Sequence, residues 1–188
     1  MKKLTSPLYV WNTALKPLAN TWAALQDQAH PVGSSRINNQ YPLMKHTILV
    51  AGKPALKYAK DGVAEYQKRL KRYGSYELKH VKDGSSVDVS NRLRDGSTNT
   101  IRIVMDERGE QLTTEQLFNK INQWEMRGEK RATYLIGASD GHTQELREQA
   151  DLVWALSPLT LQHELALVVL LEQLYRIATM QRGEPYHR

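Results

Sequence analysis

From residue 44 onward, short apolar runs alternate with longer amphipathic stretches, and this alternation limits the chain to few architectures. Ile48 to Ala51 is continuously apolar and stops at Gly52 and Pro54, the pattern of a strand buried on both faces (residues 46–51). Residues 55–72 follow, with Val63, Tyr66 and Leu70 on one helical face. Tyr76 to Val81 alternates as a strand, and 100–105, 132–136 and 152–156 repeat the buried-strand signature. Thr113-Thr114-Glu115-Gln116 offers a capping box opening a helix to Arg127. A short helix is expected over 143–150 and a long one from His163 to Met180. Residues 83–96 are polar and read as a loop with at most a short helix around Val87 to Leu93. Such a series predicts an α/β fold: a mostly parallel sheet with helices on both faces. Ligands of such sheets collect at loops leaving the carboxyl ends of strands, here after Met105, Ile136 and Leu156.

Residues 1–43 read differently. They hold one acid, two tryptophans and four prolines, and Pro17 interrupts any helix through them. Residues 30–42 have linker composition, and Met44-Lys45-His46 leads straight into a strand, as a chain start does. The expected division is a flexible or weakly ordered N-terminal extension over 1–43 and a folded domain over 44–188. The extension reads as the product of a misassigned start, an acid-poor targeting segment or an added RNA-binding arm. The compartment is accordingly cytoplasmic, or organellar in the targeting case. The longest apolar run, Leu165 to Leu171, is closed by Glu164 and Glu172, far short of the roughly 20 residues that a membrane span needs. The absence of cysteine excludes disulfides, thiolate metal sites and a thiolate nucleophile. A net charge of +6 permits a nucleic-acid partner without demanding one.

Four segments carry candidate chemistry. Gly137-Ala138-Ser139-Asp140-Gly141 is either an ordinary turn or a place where backbone approaches a ligand closely. It lacks the G-x-G-x-x-G spacing, which excludes a nicotinamide-binding module. The loop Ser157 to Gln162 is too apolar for open solvent, with Leu159 and Leu161, and suits either core packing or the wall of an adenine-sized pocket. Glu172 and Arg176 share a face of the last helix, with Thr179 continuing the stripe, as a solvated ion pair or a polar strip facing substrate. Pro185-Tyr186-His187-Arg188 joins a stacking ring, an imidazole and a guanidinium, chemistry suited to an unstacked RNA base unless the end simply frays. The remaining histidines show no ligand spacing, so no metal is expected.

In order along the chain, Ile48 to Pro54, Met105 to Gly109, Ala155 to His163, Leu171 to Arg176 and Gly183 to Arg188 closely resemble the RlmH family of the SPOUT superfamily. These are large-subunit rRNA pseudouridine N3-methyltransferases. The resemblance spans residues 44–188 and implies a trefoil-knotted α/β domain working as a homodimer on ribosomal RNA, with no membrane partner. It implies S-adenosyl-L-methionine (SAM) as cofactor, held by Met105, Gly137, Ala138, Ser157, Pro158, Leu159, Thr160, Leu161 and Gln162, largely through backbone groups. It further implies that the tail of one subunit completes its partner's site. Candidates for the chemistry are then His163, Glu172, Arg176, Tyr186, His187 and Arg188. Tyr186 and His187 would hold the base, and Arg176 and Arg188 would engage phosphate or the developing anion. The family's G-G-x-E-G loop is altered here at Ala138 and Asp140, its L-P-H at Gln162, and an arginine common one turn into the last helix is Leu167. Leu167 is expected to remove a charge facing rRNA. The alternative is a non-catalytic, dimeric RNA-binding protein of the same fold, which would not bind SAM.

Overall fold

A computed structural model describes residues 44–74 and 76–187. The expectations for residues 1–43 and for Arg188 fall outside the described residues. Ten elements follow in order: β1 Lys45–Ala51, α1 Lys57–Leu70, β2 Tyr76–Val81, α2 Ser86–Gly96 and β3 Ile101–Gln111, then α3 Thr114–Met126, β4 Arg131–Ile136, α4 Gln144–Glu148, β5 Leu152–Ala155 and α5 His163–Gln181.

The five strands form one sheet in the order β2-β1-β4-β3-β5, and every pairing is parallel. Period-two alternation distributes the apolar residues between two cores. Ile48 and Val50 of β1, Ile103 and Met105 of β3, and Tyr134 and Ile136 of β4 face the larger core. α5 closes that face with Leu167, Leu170, Leu171, Leu174 and Ile177, spaced three and four apart as one helical stripe. α1 and α3 pack against α5 on the same side. Leu49, Val104 and Leu135 point the other way, to Val89 and Leu93 of α2 and Leu146 of α4. Helices on both faces explain why the central strands read as unbroken apolar runs.

The capping box is formed: the Thr113 side chain accepts from the Gln116 N–H while the Gln116 side chain accepts from the Thr113 N–H. Two stretches differ from expectation. Residues 86–96 are a full helix, capped by Ser85 accepting from the Asp88 N–H at 3.2 Å. Only Val89, Ser90 and Leu93 of that helix are buried, so its periodic signal is thin. β3 runs beyond the expected 105 to Gln111 because it leaves and rejoins β5: Met105 and Glu110 both pair with Trp154, and Asp106 to Gly109 form the excursion between them.

Candidate functional site

The carboxyl ends of β3, β4 and β5 converge on a cavity of about 380 Å³. Its walls are the Asp106–Arg108 excursion, the Gly137–Gly141 turn and the segment from Leu156 to His163. Gly141 adopts φ +74° and its N–H donates to the Ala138 carbonyl at 3.0 Å, which closes the turn. Gly137 serves differently: a Cβ there would lie 3.0 Å from the ring of His142, so glycine lets the imidazole pack over the backbone.

The Ser157–Gln162 segment is held at both ends. The Ser157 hydroxyl accepts from the Leu159 N–H at 2.9 Å. Gln162 is the N-cap of α5: its side-chain oxygen accepts from the Leu165 N–H at 3.1 Å and from the Tyr58 hydroxyl at 3.0 Å. A proline could provide neither bond through its side chain, so glutamine at 162 has a structural use of its own. Thr160 donates its hydroxyl to Glu107, tying this segment to the β3 excursion. Glu164, in the first turn of α5, accepts from the Ala55 and Leu56 N–H groups, each at 3.0 Å. Leu56 is the N-cap of α1 and offers no side-chain acceptor; Glu164 instead anchors the backbone entering that helix, including the N–H of the N-cap residue itself. Burial alone would raise the Glu164 carboxyl, but those two N–H groups hold it below the usual range.

Asp106 forms the charged wall. It accepts from Arg108 at 2.9 Å and from Arg147 at 3.3 Å. Burial pushes its carboxyl up, and the two guanidiniums together with the Arg108 N–H more than offset this. His142 and Trp154 lie in the opposite state. Their side-chain nitrogens are buried and have no hydrogen-bond partner in the protein. Burial lowers His142, despite the nearby Asp106 charge, so the imidazole is neutral at ordinary pH.

Of the expected cofactor residues, Met105, Gly137, Ala138, Ser157, Leu159, Thr160, Leu161 and Gln162 all line this cavity, while Pro158 does not and is exposed. His163 lines it too. The apolar loop is only partly wrapped: Leu161 is half-buried, but Leu159 is 71% exposed. Glu107, Arg108, His142 and Trp154 were not foreseen as site residues. Glu107 and Arg108 lie within the Met105–Gly109 segment, whose resemblance to the family marks no single side chain, and a histidine on a cavity wall leaves no spacing signal.

The other candidates gather elsewhere. Arg176 donates to Glu172 and lies 4.9 Å over the Tyr186 ring, and the Tyr186 hydroxyl donates to Glu172 at 3.3 Å. Burial raises the Tyr186 phenol to about 12, so it is a donor rather than a base at neutral pH. Tyr186 also meets Tyr175 edge-on, and the Tyr73 hydroxyl donates to Glu184, so the described tail is docked and not frayed. His187 pairs with Glu115 at 2.8 Å. From His163 to Arg176 the helix climbs roughly 20 Å, so within one chain this cluster stands apart from the cavity. Two expectations are corrected. Thr179 does not continue the polar strip: it is fully buried and donates its hydroxyl to the Arg176 carbonyl at 2.6 Å. Leu167 does not stand on a surface facing RNA: it is fully buried in the larger core.

Among the described residues, no group of three His, Asp or Glu is placed to hold a metal, and no helix is long and apolar enough to cross a membrane.

A family model described as a predicted SPOUT methyltransferase matches residues 44–187. The large-subunit ribosomal RNA methyltransferase H of Thermus thermophilus is 46% identical over 145 residues, covering 77% of this chain and 99% of that protein. The protein of the same name from Deinococcus radiodurans is 39% identical over 145 residues, with the same two shares. A Legionella pneumophila methyltransferase solved with bound SAM overlaps at a TM-score of 0.40, with 12% identity, over 74% of this chain and 69% of that one.

Proposed function

Because the chain belongs to the SPOUT methyltransferase family and to its ribosomal RNA large-subunit methyltransferase H group, we propose that it transfers a methyl group from SAM to N3 of a pseudouridine in large-subunit rRNA, on the assembled ribosome, as a homodimer in the cytoplasm. The observation that carries this reading is the cavity itself. Its volume suits a small-molecule site, its walls are mostly loop backbone and apolar side chains, and its lining includes buried side-chain nitrogens without a hydrogen-bond partner in the protein. The residues present therefore fit a nucleoside cofactor. When bound, SAM supplies a methyl group on a sulfonium, open to in-line displacement by an aligned nucleophile.

The chain's own residues provide the rest. Met105, Gly137, Ala138 and the Ser157–Gln162 segment hold the cofactor, with the domain knotted so that α5 is threaded through a loop. Gly109 lying on the β5 backbone and the tether from Thr160 to Glu107 support that crossing. Arg176, Glu172, Tyr186 and His187 form the base-binding unit, with Arg188 at the chain end for phosphate. The imide N3–H must lose its proton before N3 can attack, and a positioned base or a cation stabilising the anion lowers that barrier. His163 is at the cofactor cavity, whereas Glu172 and Arg176 stand roughly 14 and 20 Å further along the helix, and His187 lies in the tail beyond it. That separation supports assembly across a dimer, with one subunit's tail facing its partner's cavity.

Deletion of residues 185–188 is therefore expected to abolish methylation and leave SAM binding intact. Mixing that deletion with a protomer whose cavity is blocked should restore activity in the mixed dimer. Methylation by the deletion variant alone would refute the assignment.

A further inference from the structure

Burying an imidazole or an indole N–H without a partner is disfavoured, and native interiors rarely contain such groups without a reason. This cavity contains both. His142 is 6% exposed and Trp154 3% exposed; no hydrogen bond of normal geometry reaches Nδ1 or Nε2 of the histidine or Nε1 of the tryptophan, although backbone of Met105 and Leu135 comes near the imidazole. They stand on different elements: His142 follows the Gly141 turn after β4, and Trp154 is in β5. Both line the one cavity, and Gly137 lacks the Cβ that would press on the imidazole.

A neutral imidazole offers one donor and one acceptor, and an indole offers a donor alone. Such groups suit an uncharged polar ligand surface, such as ribose hydroxyls or purine ring nitrogens. They do not suit an ammonium or a carboxylate, each of which calls for a counterion. The charges close by are Asp106 and Arg147, which face His142 from β3 and α4, together with Arg108, and these already pair with one another.

We propose that His142 and Trp154 are cofactor-binding residues, and that their side-chain nitrogens hydrogen-bond the nucleoside part of the cofactor rather than its amino-acid arm. The proposal rests on the SAM-dependent reading above and assigns a role to residues beyond the loop backbone.

The test is calorimetric titration of the full chain with SAM, S-adenosylhomocysteine and adenosine, with thermal melting of the ligand-free protein alongside. His142→Leu should weaken all three ligands by roughly tenfold, the loss of about one good hydrogen bond. The same variant should melt a few degrees higher without ligand, because an apolar side chain of similar size removes a buried unpartnered group. A packing role alone would lower the melting temperature and leave affinity unchanged. His142→Gln, which retains a donor and an acceptor, should recover part of the affinity. Trp154→Phe, which deletes only the indole donor and some ring area, should weaken adenosine as much as SAM. Unchanged adenosine affinity in both His142→Leu and Trp154→Phe overturns the proposal, and so does a loss confined to the two ligands that carry the amino-acid arm. If the unmodified chain binds none of the three, the cofactor reading itself fails, a result distinct from selective loss in the variants.

Discussion

Replacing Gly109 with alanine should damage this protein far more than one methyl group suggests. Gly109 lies where the β3 excursion returns across β5, and a Cβ there would sit 2.5 Å from the Val153 carbonyl oxygen, 2.6 Å from its carbon and 2.8 Å from the Trp154 nitrogen. Ordinary carbon contacts lie near 3.5–4.0 Å, so the two backbones must separate by about 1 Å. Neither side has a rotamer to change, because every clashing atom is main chain. Overpacking of a rigid site typically costs 1–3 kcal/mol, and this geometry belongs at the upper end, about 3 kcal/mol. Separation would also break the return pairings of Glu110 with Trp154 and Gln111 with Ala155, which hold one wall of the cavity. Gly62→Ala is the control. Its added Cβ would lie 2.9 Å from a Val168 methyl, a side chain rather than backbone, and alanine favours the helix by up to about 1 kcal/mol. Urea unfolding at neutral pH should lower the midpoint strongly for Gly109→Ala and move it by less than about 1 kcal/mol for Gly62→Ala, with SAM affinity falling only in the former. Equal stability of the two variants would refute the reasoning.

Other perturbations have worked signs. His46 is buried, stacks on Tyr76 and shares a 3.1 Å hydrogen bond with the Tyr134 hydroxyl, and burial lowers it to about 4. With its folded value below its unfolded one, its contribution is fully present above pH 6.5 and is lost as pH falls toward 4. Between pH 7 and 4.5 that loss is on the order of 2–3 kcal/mol, and His46→Leu should flatten the unfolding profile by a comparable amount. Glu164→Ala leaves the Ala55 and Leu56 N–H groups without an acceptor, and chemical denaturation should show a loss of about 2–3 kcal/mol, with Glu164→Gln in between. Arg176→Ala removes the partner of Glu172 and Tyr186, and single-turnover assays should show methylation slowed by roughly 100-fold with unchanged calorimetric affinity for SAM.

Much of the fold was legible because its signals are local or periodic. β1 and β4 are apolar without alternation because helices cover both faces, and Thr113 with Gln116 announces α3 within four residues. The long stripe of α5 reads directly as a core helix. Features that depend on distant partners were not legible. The return of β3 to Trp154 is a relation between strands with no mark in either one. Helix α2 buries too few residues to look amphipathic. Leu167 stands out in sequence only as a missing charge, because a family pattern carries no information on which way that helix face turns. The cavity wall after Leu156 followed from its unusual apolarity, whereas His142, isolated in sequence and set aside as a metal ligand, emerged only from its unpartnered burial.

The central claim is best tested by nucleoside mass spectrometry of ribosomal RNA. Ribosomes from a strain lacking this activity would be incubated with the purified chain and isotopically labelled SAM. The account predicts one labelled nucleoside, 3-methylpseudouridine, in large-subunit rRNA, and none when residues 185–188 are deleted. Label on a different nucleoside, or none from the intact chain, would contradict it.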